Sequence, residues 1–573
     1  MKRILGIRYG HDAAACLVVD GRIIVDAAEE RFTRRKNDGS FPINAIQFCL
    51  DFAGVKSTDL DAIAVPSKGT PEPFRYFFNL PDEPKKPQTR SVARIAWRAL
   101  RGGNPAPKPV GPVNPLPHYL KPWPLSPGRR IINVEHHLAH AASAYFTSGL
   151  NGEKALTVVM DGVGDNTSVS LWRGQGNRLE KLKHWDERSS IGWFYAAATE
   201  GIGWRQSSEE WKTMGLAPYG ATRPGALKGF YPEFKDGELI RPHDFGEPMR
   251  FPDHGSNHYH LRDATALGKI AQELGRENFA AEVQRVSEEQ AMELILPWLQ
   301  KESVRNLCCA GGFFLNVKVN GKLWMTGKLD RQWIYPNPGD AGLAAGAALY
   351  VYFSDNPKAP QEELRTLYLG PSFTGDEIQA ILDDRGLYYE RPDDLAGSVA
   401  ALLAENRIIG WFQGRMESGP RALGSRSILM SPLIAENKDK INACVKFREA
   451  FRPFCPSMLA EKMDDYLLGG REERFMVSAF DAHPEKAERI PAVVHVDKTL
   501  RPQTVHRQDN PRYYDLIKAF GEITGEYVLL NTSFNVKGEP IVCTPSEAIK
   551  CFFDTGLEVL VLGDFMIKKP ALM

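Results

Sequence analysis

The sequence predicts an α/β protein whose first portion is built from two related halves, and three observations predict it. Short apolar runs of strand length alternate with turns at 4–7, 13–19 and 23–27, with Asp20-Gly21 as a tight hairpin between the last two. The same order of run, polar turn and run returns at 156–160, Asp161-Gly162-Val163-Gly164-Asp165-Asn166-Thr167-Ser168, and 169–172. Stretches of helical character follow at 341–349, made of small and apolar residues, and at 395–405, the second leading into a strand-like run at 408–412. Each half is expected to turn one small polar loop toward a shared cleft.

A chain of 573 residues with 43% hydrophobic composition can bury at least two cores, which predicts two or three domains. Asp355-Asn356-Pro357-Lys358-Ala359-Pro360 breaks the pattern, so the expected units are 1–355 and 366–573. Residues 70–130 are rich in proline and basic residues and read as a surface excursion, either lining an entrance or simply solvated. The irregularly spaced cysteines, among them the adjacent Cys308 and Cys309, form no CxxC pair and favour a reducing, cytoplasmic setting over a disulfide framework. The first residues are interrupted by charge and glycine before any secretory apolar region, and no run is long enough to cross a bilayer. Basic and acidic residues number 71 each, so no overall positive field points to a nucleic-acid partner.

Glu135-His136-His137-Leu138-Ala139-His140 places two imidazoles four residues apart. On a helix, that spacing aims His136 and His140 from one face at a common ion and sends His137 elsewhere, as a packing residue or an outer contact. Asp161, and Asp340 within Asn337-Pro338-Gly339-Asp340-Ala341-Gly342, are the candidate oxygen ligands. A mixed imidazole and carboxylate set suits Fe(II), Mn(II) or Zn(II). A histidine pair that packs a helix is the competing account, and the acidic loops weigh against it. Gly162 and Gly164, then Gly311 and Gly312, permit close backbone approach to phosphate or nucleotide, or are ordinary turns. His11, followed by Asp12, is the candidate acceptor of a hydroxyl proton, with a structural His–Asp hydrogen bond as the alternative. Lys212 is either a contact for an anionic group or a surface lysine beside apolar packing.

The stretch 414–427 concentrates Arg415, Arg421 and Arg426 among turns, with Ser427 as a hydroxyl contact. Such guanidinium forks neutralise and orient phosphates. Lys446, Arg448 and Arg452 form a second basic cluster around Glu449, and Asn531, Ser533 and Asn535 add polar groups late in the chain. Both clusters also read as solvated or salt-bridged faces. Their compactness and the interleaved Glu417 and Glu449 favour a small phosphorylated donor over a nucleic acid.

In the order of its motifs the chain resembles, over nearly its whole length, the O-carbamoyltransferases of nodulation and antibiotic biosynthesis. The matching pieces are Gly10-His11-Asp12-Ala13-Ala14, Glu29-Glu30-Arg31-Phe32, the His136–His140 motif, Asp161-Gly162-Val163-Gly164, Lys212-Thr213-Met214-Gly215-Leu216-Ala217, Gly311-Gly312, the 414–427 run and Asn531-Thr532-Ser533-Phe534-Asn535. The resemblance implies a larger, duplicated sugar-kinase/actin/Hsp70-like domain fused to a smaller α/β domain similar to threonylcarbamoyl-adenylate synthases. It implies that His136, His140, Asp161 and Asp340 hold a divalent ion, foremost Fe(II), and that Gly311 and Gly312 belong to an adenylate cradle. It also implies that Arg415, Arg421, Arg426, Lys446, Arg448 and Arg452 handle carbamoyl phosphate and ATP, with Mg2+ accompanying the ATP. The implied activity is ATP-dependent transfer of a carbamoyl group from carbamoyl phosphate, through carbamoyl-adenylate, to a hydroxyl of a small natural product. Transfer to an amine or a tRNA, an Hsp70-like nucleotide-binding protein with structural histidines, and a metallohydrolase independent of ATP are the alternatives. The chain departs from the family pattern at Phe313-Phe314-Leu315, in the short Arg8-Tyr9-Gly10 approach to His11, at Ala14 and at Cys455.

Overall fold

The computed structural model describes residues 1–69, 74, 77, 78, 123–126, 128–246, 249–253 and 256–569; most of the proline-rich excursion lies outside the described residues. Strands β1 (Arg3–Arg8), β2 (Ala14–Val19) and β3 (Arg22–Ala28) form at the three predicted apolar runs. Asp20 and Gly21 both take positive φ, 49° and 85°, as a two-residue hairpin turn matched to strand twist requires. β1 pairs antiparallel with β2, and β2 with β3, while β4 (Ala62–Val65) runs parallel to β1 and β5 (Arg130–Asn133) parallel to β4.

A second sheet repeats this arrangement. β6 (Ala155–Gly164) pairs antiparallel with β7 (Thr167–Gln175), which pairs antiparallel with β8 (Arg178–Trp185). β9 (Asn306–Ala310) lies parallel to β6, and β10 (Arg331–Ile334) parallel to β9. The orders β3-β2-β1-β4-β5 and β8-β7-β6-β9-β10 agree strand for strand in sense of pairing, so the predicted duplication is present in the topology. One boundary differs from expectation: Asp161-Gly162-Val163-Gly164 is the end of β6 rather than a loop, and the turn is Asp165-Asn166.

Helix α1 (Ile43–Ala53) covers β2 and β3. Between the sheets lie α2 (His136–Phe146), against β6 and β9, and α6 (Leu343–Asp355), against β1, β2 and β4. Helices α3 (Ile191–Gly201) and α5 (Arg276–Glu302) pack on β6, and the short α4 (Glu210–Leu216) leans on α5. The small residues of 341–349 explain the layering. A Cβ on Gly346 would stand 1.9 Å from the Ala139 carbonyl oxygen of α2, and one on Gly6 of β1 would stand 1.8 Å from that of Ala344. Only absent side chains let backbone meet backbone this closely. The predicted helix starts two residues late, because Asp340–Gly342 forms a single 3-10 turn ahead of it.

The third sheet holds β11 (Ile409–Phe412), β12 (Arg426–Met430), β13 (Cys455–Leu459), β14 (Gln503–Val505), β15 (Val528–Ser533), β16 (Val559–Leu562) and β17 (Phe565–Lys568). Its order is β14-β13-β15-β12-β11-β16-β17. Successive residues of β11 serve opposite faces: Ile409 and Trp411 join Val399, Leu403 and Leu516, while Phe412 joins Ile428 and Leu560. Such a sheet, covered on both faces, reads as a continuous apolar run. Among the described residues no helix is long and apolar enough to cross a membrane.

The 414–427 segment docks on the edge strand β3. Arg415 donates to the carbonyls of Ile24 (3.1 Å), Leu369 (2.5 Å) and Gly370 (3.3 Å), and the Ser418 hydroxyl donates to Asp26, which is 2% exposed. Arg31 returns the contact by donating to the Gly419 carbonyl at 2.8 Å. Burial raises the Asp26 carboxyl to about 7, against a hydrogen bond from Ser418 that favours the anion.

Two outcomes follow from this packing. Gly346→Ala should destabilise the protein by about 1–3 kcal/mol, read as a lower urea midpoint, because α2 and α6 must separate. The folded-state value of Asp26 lies above the ordinary carboxylate value, so its contribution is complete in acid and is lost as pH rises through about 7. Asp26→Asn should therefore gain stability over the native chain, by a few kcal/mol, at about pH 8 and much less at about pH 5. Urea titrations giving the same gap at both pH values would contradict this.

Candidate metal centre and anion site

Helix α2 begins at His136 because Glu135 caps it, accepting the Leu138 N–H at 3.0 Å. The four-residue spacing then sends His136 and His140 to the same side. His137 turns away and is fully engaged, with Nδ1 2.8 Å from the Ser170 hydroxyl and Nε2 2.9 Å from the Thr167 carbonyl, so it is a packing residue. Asp161 enters the pocket because the β6–β7 register shifts between Met160 and Gly164, turning the strand end toward α2. Asp340 enters from the turn before α6, which is held against α2 by the glycine contact described above.

One donor atom from each of His136, His140, Asp161 and Asp340 lies within 4.8 Å of the others. His136 Nε2 is 3.3 Å from Asp161 Oδ2 and 3.5 Å from Asp340 Oδ1, and His140 Nε2 is 3.6 Å from Asp340 Oδ1. Each carboxylate has its other oxygen held outside the pocket: Asp161 Oδ1 accepts the Gly312 N–H at 3.0 Å, and Asp340 Oδ2 accepts Arg8 Nη2 at 2.5 Å. His140 is wholly buried, and neither of its ring nitrogens has a hydrogen-bond partner among the described residues. A buried imidazole without partners is costly unless something coordinates it, so the donor set fits a divalent cation of imidazole–carboxylate type.

Burial holds His140 below the ordinary histidine value, which keeps it neutral and able to ligate. Burial also opposes protonation of His136, but Asp340 and Asp161 outweigh it and raise that ring. Burial alone would lift both carboxyls; His136 brings Asp161 down, and Arg8 with His136 brings Asp340 well down, so both stay ionised.

The glycines of this region are closely packed by neighbouring protein atoms. A Cβ on Gly164 would lie 2.2 Å from the His136 ring, one on Gly162 3.2 Å from Trp193 Nε1, and one on Gly311 2.1 Å from the Met160 carbonyl oxygen. Protein atoms fill those spaces, so the missing side chains serve packing around the metal pocket, and Gly312 serves through its N–H.

His11 and Asp12 lie beside this pocket, with His11 Nδ1 3.1 Å from Asp12 Oδ2, and Asn37 Nδ2 donates to Asp12 Oδ1 at 2.7 Å. Asp12 raises His11 to about 9, so at neutral pH the ring is an imidazolium. A proton must leave such a ring before it can accept another. Lys212 is not a surface lysine. It is 4% exposed and pairs with Glu209 at 2.5 Å and with Glu449 at 3.3 Å, bridging α4 to the 446–454 segment.

The basic residues of the C-terminal portion divide into two groups. Arg415 and Arg426 are engaged by backbone carbonyls. Arg426 is completely buried and donates to the carbonyls of Gln413, Gly414, Ser425 and Pro371, and Arg415 is tied to β3 as above. Ser427 Oγ accepts the Gly424 N–H at 3.1 Å, and Asn531 Nδ2 donates to the Ala422 carbonyl at 3.2 Å. Together with Glu417, whose Oε1 accepts the N–H groups of Leu423, Ser425 and Arg426, they shape the loop that presents Arg421.

Arg421 itself makes no hydrogen bond or ion pair among the described residues. Burial and the neighbouring Arg501 pull it down to about 9. Burial and Arg448 pull Arg452 to about 8, and burial takes Arg448 to about 10. Guanidinium groups stay protonated at neutral pH, so these shifts mark cations that burial disfavours first and neighbouring cations second. Lys446 Nζ sits among the oxygens of Ser533 and Asn535, 2.8 Å from Asn535 Oδ1. Arg452 stacks on Trp211 of α4 at 3.5 Å and pairs with Glu449 at 3.7 Å, which places this group at the boundary with the first two sheets.

Arg501 was not among the residues singled out from the sequence, yet it completes the cluster, with Nε 2.9 Å from Cys455 Sγ. Its Arg-Pro dipeptide repeats that of Arg452-Pro453, which is the signal that was available. Arg8, a charge closing an apolar strand, is the second such residue.

The arrangement is a two-part α/β protein with a metal-type pocket in a duplicated portion and an anion-type pocket in the other. Residues 3–75 and 127–349 match the model of the carbamoyltransferase N-terminus, and residues 400–569 match that of the carbamoyltransferase C-terminus. The chain belongs to the carbamoyltransferase family, a family of carbamoyl-transferring enzymes. It is 37% identical to an uncharacterized protein of Synechocystis, covering 100% of this chain and 97% of that one. It is 35% identical to the nodulation protein NolNO of Sinorhizobium fredii, covering 98% of this chain and 79% of the relative. Among solved structures, the (R)-2-hydroxyglutaryl-CoA dehydratase component A of Acidaminococcus fermentans overlaps 62% of this chain and 100% of its own, at 12% identity and a TM-score of 0.34.

His140→Ala should abolish tight retention of a divalent ion, lowering the metal content of protein dialysed after loading at least tenfold, while leaving the fold intact. Elemental analysis beside a thermal melt checks both halves of that statement.

Proposed function

We propose that the chain uses ATP to activate the carbamoyl group of carbamoyl phosphate as carbamoyl-adenylate in the C-terminal portion, and transfers it to a hydroxyl of a small molecule beside the metal pocket. The observation that carries this reading is the pairing of two unlike sites in one chain: a part-buried basic cluster in which Arg421 makes no hydrogen bond or ion pair among the described residues, and a donor set in which neither ring nitrogen of the buried His140 has a hydrogen-bond partner among them. A phosphorylated donor answers the first, and a cation the second. The family supplies the carbamoyl group.

The steps balance as follows. Water takes the phosphoryl group of carbamoyl phosphate as inorganic phosphate, and the carbamate oxygen so freed attacks the α-phosphorus of ATP, expelling pyrophosphate. Arg421, Arg448, Arg452 and Arg501, with Lys446, neutralise and orient the phosphates, and Mg2+ accompanies the nucleotide. The acceptor oxygen then attacks the carbamoyl carbon, its proton passes to His11, and AMP departs. His136, His140, Asp161 and Asp340 would hold a divalent ion, which we take to be Fe(II) and which would supply Lewis acidity toward the carbamoyl oxygen. Asp12 orients the His11 ring, and Asn37 holds Asp12.

Mass-resolved analysis of the metal-reconstituted chain with ATP and isotopically labelled carbamoyl phosphate tests the activating half. Labelled carbamoyl-adenylate with pyrophosphate is the expected product; nucleotide binding with no such product would sink the reading. Arg421→Gln should reduce that product about 10–100-fold without altering metal content, the loss of one charge-assisted contact. Because His11 lies near 9, the transfer rate should climb with pH toward that value, and His11→Ala should flatten the climb.

A further inference from the structure

Arg8 ends β1 inside the metal pocket. Its Nη2 lies 2.5 Å from Asp340 Oδ2, its side chain is 15% exposed, and its Nε is buried without a hydrogen-bond partner. Its charge reaches both His11 and His136. No part of the proposed reaction has used it.

We propose that Arg8 is a positioning residue that sets the denticity and charge of the metal pocket. The inference rests on the reading of His136, His140, Asp161 and Asp340 as metal ligands. Two consequences follow from where Arg8 sits. First, it decides which oxygen of Asp340 is available: with Oδ2 bound to the guanidinium, Oδ1 alone faces His136 and His140, at 3.5 and 3.6 Å. Asp161 is restricted in the same manner by the Gly312 N–H, so the pocket offers four single atoms and leaves coordination sites for a substrate oxygen. Second, it offsets one of the two carboxylate charges. Two carboxylates neutralise a divalent ion; with Arg8 beside them the pocket retains an excess of one positive charge. An ion in such a pocket is held less tightly and withdraws more electron density from whatever oxygen it binds.

An ordinary outer-shell partner supports ligand binding, and its loss typically weakens metal affinity 10–100-fold. Arg8 predicts the opposite sign. Removing it frees Asp340 to bind through both oxygens and removes a like charge, and both changes tighten binding.

The experiment is a titration of the full chain with Mn(II), followed by the electron paramagnetic resonance signal of the free ion, for the native protein, Arg8→Gln and Arg8→Lys. Arg8→Gln should bind Mn(II) on the order of tenfold more tightly. Arg8→Lys, which keeps the charge, should stay within about threefold of the native affinity. In the carbamoyl-transfer assay Arg8→Gln should be slower on the order of tenfold, so affinity and rate move in opposite directions. A lesion that merely disturbed the pocket would lower both. An Arg8→Gln affinity equal to or weaker than native overturns the role of Arg8 and leaves the metal site standing. Failure of the native chain to bind Mn(II), Fe(II) or Zn(II) at all overturns the metal site and this inference together. Should Arg8→Gln not fold, a drop of more than about tenfold in Arg8→Lys affinity overturns the charge argument on its own.

Discussion

The close contact between α2 and α6 is the constraint on which the rest of the molecule depends. His136 and His140 belong to one helix, and Asp340 to the turn that starts the other. They meet because Gly346 lets the backbones approach to a distance no side chain would allow. The same pair of helices fills the space between two sheets, so the packing that stabilises the duplicated portion also sets the geometry of its pocket. A site built on helices wedged between sheets is held more rigidly than one built on loops.

The two pockets solve opposite electrostatic problems by similar means. Around the metal-type pocket, buried carboxylates stay ionised because imidazoles and Arg8 face them. In the anion-type pocket, buried cations gather with Glu449 as one of the few carboxylates near them. Isolated buried charge is expensive, and chains keep it mainly where a ligand or a reaction uses it. Lys212 stands between Glu209 and Glu449, one cation facing two carboxylates, and ties α4 to the 446–454 segment.

Much of this was legible in the sequence because it was written in local spacing. The HxxxH step on α2, the strand runs of both halves and the strand at 408–412 each depend on residues close together in the chain. The meeting of Asp161 and Asp340 with the histidines was legible only as chemistry, from residue types rather than distances. What could not be read was direction. Arg415, Arg421 and Arg426 look alike in a row, yet two face carbonyls and one faces the cluster, because β12 starts within the segment and fixes which side each takes. Glycines near acidic residues were equally ambiguous, since close packing and phosphate binding both demand a missing side chain. His11 was found, but not its proton, which depends on the 3.1 Å contact with Asp12.

The duplicated topology carries a further meaning. The ends of β1 and β6 occupy equivalent places in the two sheets, and Arg8 from one pairs with Asp340, which gathers with Asp161 from the other. One end contributes Asp161 to the candidate metal pocket; the other contributes Arg8 and leads to His11 and Asp12. A symmetric frame thus carries unlike side chains at equivalent strand ends: an acidic one on one copy, and a basic one, followed by His11 and Asp12, on its twin. Symmetry supplied two facing positions at no new architectural demand, and specialisation lay in making their side chains opposites.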